Sequence, residues 1–172
     1  MISRKQQPEI DAADVAERLV GITPIYLQNF VSRGLHGLHA SAVNPRVVRR
    51  LFSRADVFGI ALVWLLFESG LRSDAITRIL NDLAGTKKVN ANRAAQKLLE
   101  SRAQYVVIAR RPRQPTKTPA RNPTQDIRMI SRSEMRKVRT QNPTGLELVL
   151  PVGDKFRDIE RRMDLLFPPQ GA

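Results

Sequence analysis

Tyr26, Gln28, Asn29 and Arg33 lie close together in the chain, just after the Thr23-Pro24 pair. A carboxamide donates and accepts at once, so Gln28 or Asn29 can pair bidentately with the edge of an adenine. Arg33 offers a guanidinium fork matched to phosphate, and Thr23 and Tyr26 add hydroxyl groups. Arg46, Arg49 and Arg50 follow as three more closely spaced cations. These side chains can recognise a polyanion, but they hold no nucleophile with a base beside it. His36 and His39 are three apart, yet no cysteine or nearby carboxylate completes a ligand set, so loop packing is the expected role. No Gly-rich phosphate loop, no Ser–His–Asp arrangement and no isolated acid pair is present. The expectation is therefore a chain that is not an enzyme and needs no cofactor or metal.

Such side chains need rigid elements to aim them. Asp11 can cap a short first helix whose apolar face is Ala12, Val15, Ala16 and Leu19, and Gly21 breaks it. Residues 1–10 are polar and expected to fray. Thr23 and Pro24 open the next helix, where a missing N–H costs nothing. Ile25 (or Tyr26), Phe30 and Leu35 can face its core side, and Gly34 ends it. Two extended runs then flank the turn dipeptide Asn44-Pro45, which predicts a hairpin over 37–52 with Arg46, Arg49 and Arg50 on the return strand. Ser53 and Asp56 form a capping box for a helix over 54–69. Its stripe of Val57, Ile60, Ala61, Trp64 and Leu65 reads as amphipathic, with Trp64 in the core. Arg50 is also placed to hold the hairpin onto that helix through Asp56. A helix over 74–84 follows.

Beyond Gly85 the composition changes. A helix over 90–102 presents Ala94, Ala95, Leu98 and Leu99 on one face, and Tyr105 to Ala109 is a short β run. The segment 110–125 carries Pro112, Pro115, Pro119 and Pro123 and reads as extended. Between Arg110 and Thr140, ten basic residues against two acids contribute +8 of the formal charge of +13. Leu146, Leu148 and Leu150 alternate as in a strand. A last helix carries Phe156, Ile159, Met163 and Leu166 on one stripe.

The chain has 172 residues, 42% hydrophobic and 26% charged, with a sequence pI near 11.3. That field attracts polyanions, and nucleic acid is the usual one. A membrane surface is the rival, but no basic amphipathic helix with aromatic anchors is evident. No apolar leader follows Met1, and the apolar run Val57 to Phe67 is about half a bilayer span. A cytoplasmic, nucleoid-associated location is the expectation. With no cysteine, disulfides and thiolate chemistry are excluded.

Three motifs add a resemblance. Residues 21–35, Gly-Ile-Thr-Pro-Ile-Tyr-Leu-Gln-Asn-Phe-Val-Ser-Arg-Gly-Leu, resemble the MerR-type pattern Gly-Val-Ser-x-x-Thr-Leu-Arg-Tyr-Tyr-Glu-x-x-Gly-Leu without a gap. Arg50 to Val57 is similar to the family's Arg-x-Tyr-Ser-x-x-Asp-Val. Gly70, Leu71 and Ile76 fit its Leu-Gly-Phe-Ser-x-x-x-Ile at the family's spacing from Asp56, with Ser73 one residue beyond the family's Ser. The chain departs in placing Gln28-Asn29 where the family has Arg-Tyr, in having Phe30 for the second Tyr, and in a longer wing.

The resemblance covers residues 21–80, about a third of the chain, and implies a DNA-binding transcription regulator. The expected fold is mainly α with small β (α+β). A winged helix-turn-helix domain would span 1–86, and an α+β region for self-association 87–172. Thr23, Tyr26, Gln28, Asn29, Arg33, Arg46, Arg49 and Arg50 are the expected DNA-binding residues. Double-stranded DNA, a second copy and RNA polymerase are the expected partners, with no membrane. An architectural or excisionase-like factor, or an RNA- or protein-interaction adaptor reusing the fold, are the alternatives.

Overall fold

A computed structural model describes residues 10–34, 51–110, 125–135 and 147–168. Asp11 opens the first helix, its Oδ1 accepting from the Ala13 N–H at 2.7 Å. The turns Asp14–Val20 widen to π geometry. Gly21, at φ +80°, ends them and donates its N–H to Ala16 O at 2.8 Å. Thr23 is extended and precedes α1 (Pro24–Ser32), with Pro24 in the first turn. Its side chain makes no capping bond, so Thr23 starts the helix by backbone geometry alone.

At Ser53 the cap is complete. Its Oγ accepts from Asp56 N at 3.3 Å, and the Asp56 carboxylate accepts from Ser53 N at 2.7 Å, opening α2 (Arg54–Glu68). Next come α3 (Ser73–Ala84) and α4 (Ala91–Glu100), the latter capped by Asn90 Oδ1, which accepts from Arg93 N at 2.9 Å. The last helix is α5 (Val152–Leu166).

Two short strands, β1 (Ile10–Asp11) and β2 (Leu51–Phe52), pair antiparallel with Ile10 opposite Phe52. Ile10 is buried, so the chain is anchored from this residue onward instead of fraying through it. The other sheet has the order β4-β3-β5, from β3 (Tyr105–Arg110), β4 (Gln125–Ile130) and β5 (Glu147–Leu150), all antiparallel. Across it Ile108 lies opposite Ile127 and Leu148. These three, with Val106 and Leu150, join the main core. Val107, Ile130 and Met135 form a small cluster of their own. The described residues are thus mainly helical with a small three-stranded sheet, the α+β class expected.

Around α2 the core closes on nearly all sides. Phe58, Gly59, Leu62 and Val63 are buried along with Val57, Ile60, Ala61 and Leu66. An amphipathic stripe was the expectation. A helix apolar all round is instead a buried helix, and α2 packs against the first helix, α1, α3, α4 and α5. Trp64 and Leu65, expected in the core, lie at its edge and are only partly buried.

The core does not pause at the expected division between 86 and 87. Ala91, Ala94, Ala95 and Leu98 of α4, and Phe156, Ile159 and Met163 of α5, share one apolar cluster with α2 and the first helix. These seven side chains are therefore covered within the chain, without recourse to a second copy. Leu99, placed on the inner face of α4 by its type, is 40% exposed.

Polar contacts fasten the last helix to the first part of the chain. Lys155 Nζ donates to Val20 O at 3.1 Å, and Arg162 to Arg18 O at 3.4 Å, meeting carbonyls left open at the end of the first helix. Arg54 at the start of α2 pairs with Glu160 at 2.8 Å. No helix among the described residues is long and apolar enough to cross a membrane.

Candidate nucleic-acid interface

Helical turns of about 100° per residue give α1 two distinct sides. Leu27 and Phe30, each 3% exposed, point into the core, with partly buried Val31 beside them. On the opposite side Ile25, Asn29 and Ser32 fall near the centre, bordered by Gln28 and Arg33, and all five are exposed. Ile25 or Tyr26 was expected to face inward, but Ile25, at 71% exposed, sits on the outer face. Leu27 takes the inward position.

Tyr26 stands between the two sides, and its surroundings were not visible from periodicity. Its ring lies 5.3 Å from Trp64, 5.8 Å from Phe67 and 6.5 Å from Phe30. Phe30 in turn lies 6.2 Å from Trp64 and 5.7 Å from Phe67, and the last two stack at 5.8 Å. All four rings touch one another, two from α1 and two from α2. Such pairs contribute about 0.5–1.5 kcal/mol each beyond buried area. The cluster fixes the rotation of α1 about its axis, which decides which side chains face out. Tyr26 remains 40% exposed, so one edge of its ring still reaches solvent. The signal was present as Tyr26/Phe30 and Trp64/Phe67 at helical spacing, but nothing in the sequence said that the two pairs meet.

Charge on this part of the molecule is one-sided. From residue 18 to residue 55 the sequence holds six arginines and no carboxylate. Arg18 is paired with Asp14 at 3.1 Å, and Arg54 with Glu160, so these two are partly neutralised. Arg33, at the C-terminal end of α1, is exposed and has no carboxylate partner among the described residues. Arg46, Arg49 and Arg50, His36 and His39 and the expected hairpin lie outside the described residues, apart from its exit at β2. Both oxygens of Asp56, expected as a partner for Arg50, are engaged by Ser53 and by the Asn92 side-chain amide. The basic segment 110–125 also lies outside, apart from Arg110 and Gln125 at its ends.

Thr23, Tyr26, Gln28, Asn29 and Arg33 are thus carried by one helix and its cap, with Gln28, Asn29 and Arg33 on its outer face. This arrangement can dock a polar, carboxylate-free helix surface against an anionic groove. Among the described residues no group of three or more His, Cys, Asp or Glu is placed to hold a metal ion. No protein-family model matches the chain, and no curated protein matches it at a significant level.

Proposed function

We propose that the chain is a DNA-binding transcription regulator that reads duplex DNA with α1. The observation that carries this reading is the outer face of α1. It holds Gln28, Asn29 and Arg33 exposed on a helix that four aromatic rings lock against the buried α2. Base edges can be read only by side chains whose direction is fixed, and phosphate must be met by cations. The ring cluster supplies the first and the formal charge of +13 the second. Arg46, Arg49 and Arg50 are assigned to the DNA backbone or minor groove on their sequence position, and Thr23 to a hydroxyl contact at the helix entry. A homodimer belongs to the same proposal, with its contact surface outside the seven α4 and α5 side chains that this chain buries itself.

The test is duplex affinity of the full chain as a function of salt. Each phosphate neutralised releases a counterion, so log K should fall with log salt at a slope of about −0.9 per contact. A slope near zero, or no duplex binding at moderate salt, would refute the reading and favour a protein-interaction adaptor. Strong bending without sequence preference would favour an architectural factor.

A further inference from the structure

Ile25 is the one large apolar side chain at the centre of the outer face of α1. It belongs neither to the core, which Leu27 and Phe30 fill, nor to the ring cluster, where Tyr26 takes the place beside α2. A single exposed isoleucine is ordinary. This one, however, has Gln28 and Asn29 three and four residues on, the spacing at which helical side chains stand as neighbours, about 5–6 Å apart at Cβ. The same turn of helix therefore presents a β-branched apolar group and two carboxamides side by side.

In the major groove an A·T pair offers matching features. Adenine shows the N7 acceptor and N6 donor that a carboxamide binds bidentately, and thymine shows a C5-methyl group that only an apolar side chain can cover. A G·C pair has no such methyl, and its guanine edge asks for a cation. The cation of this helix, Arg33, sits at the C-terminal end and away from Ile25. Helix-turn-helix proteins read base edges with the N-terminal residues of their recognition helix, and Ile25 lies in the first turn of α1.

We infer that α1 selects A·T base pairs, with Ile25 packed on a thymine methyl beside an adenine held by Gln28 or Asn29. The inference rests on the proposed reading of duplex DNA and names what that surface prefers.

Duplexes enriched by the full-length protein from a randomised pool should contain A·T pairs at the positions that matter most. Each thymine is then replaced singly by deoxyuridine, which removes the methyl and nothing else. At one thymine per site the wild-type chain should lose about fourfold in affinity, the value of one buried methyl-sized group. Ile25→Ala should bind the thymine and uracil duplexes equally, while still showing the wild-type dependence on salt. The exchange in DNA needs no variant, and Ile25 is exposed on a helix where alanine is well tolerated. Enriched duplexes that tolerate uracil at every position would overturn this inference alone, as would an Ile25→Ala variant that keeps the full thymine preference. If no duplex is enriched over random sequence and binding is insensitive to salt, the reading of DNA falls with it.

Discussion

Replacing Gly59 by alanine should loosen the seam between α2 and α4. A Cβ at this position would run into the Asn92 side-chain oxygen, and it would lie 3.0 Å from Asn92 N and 3.1 Å from the Ala91 carbonyl carbon. Asn92 is not free to swing aside, because its amide donates to the Asp56 carboxylate that also caps α2. The two backbone atoms can retreat only if α4 moves. Overpacking of this kind costs about 1–3 kcal/mol, while exchanging glycine for alanine inside a helix returns about 1 kcal/mol. With the closest contact far inside van der Waals range and its side chain anchored, the cost falls in the upper half of that range, and the net expectation is a loss of about 1–2 kcal/mol. Urea unfolding followed by far-UV circular dichroism should show a lower midpoint with an unchanged slope. In an Asn92→Ala background the closest contact is gone but the backbone contacts remain, so the penalty should shrink without vanishing. A Gly59→Ala protein as stable as the wild type would mean that the two helices do not approach as described, and the reasoning would be wrong.

Gln28→Ala or Asn29→Ala should relax preference at particular base pairs by about 1–3 kcal/mol, while Arg49→Ala should weaken all duplexes alike; competition binding against a panel of single-substitution duplexes separates the two. A chain ending at residue 86 should fail to unfold cooperatively in urea, since it loses the α4 and α5 side chains that cover α2; a sharp two-state transition would contradict this. The Arg78 guanidinium, 2.6 Å from Asp74, holds that carboxyl below its ordinary pKa. The pair's small contribution is therefore present above the ordinary carboxylate range and lost as pH falls through the lowered value. Asp74→Asn should make the acid side of the stability profile slightly shallower, and an NMR titration should find the Asp74 carboxyl titrating below ordinary aspartates.

Local features were legible in the sequence because their causes are local. The capping box of Ser53 and Asp56, the proline entry at Pro24 and the glycine exit at Gly21 depend on residues within a turn or two. The faces of longer elements were read less well, because side-chain type says how much a residue gains by burial and not which neighbour covers it. Phe58, Leu62 and Val63 lay off the expected stripe of α2 and are buried because α4, α5 and the first helix surround it. Ile25 and Leu99 have core-type side chains and are exposed, no described element covering them. For the candidate site, Gln28, Asn29 and Arg33 followed from helical period alone. The contact of Tyr26 with Trp64 and Phe67 joins residues far apart in the chain and had no local trace.

The fastening of α5 to the first helix also bears on how the protein comes to exist. Lys155 reaches Val20 O across 135 residues, Arg162 reaches Arg18 O across 144, and Arg54 meets Glu160 across 106. At synthesis rates of 5–20 residues per second, roughly 7 to 30 seconds separate the appearance of Val20 from that of Lys155. During that interval the ribosome displays α2, an apolar helix without its full cover. The chain therefore cannot complete its core as it emerges, and contacts of such long sequence separation are slow to close. Its nascent form is the stage most exposed to aggregation, and a ribosome-bound chaperone would find in α2 the segment to protect.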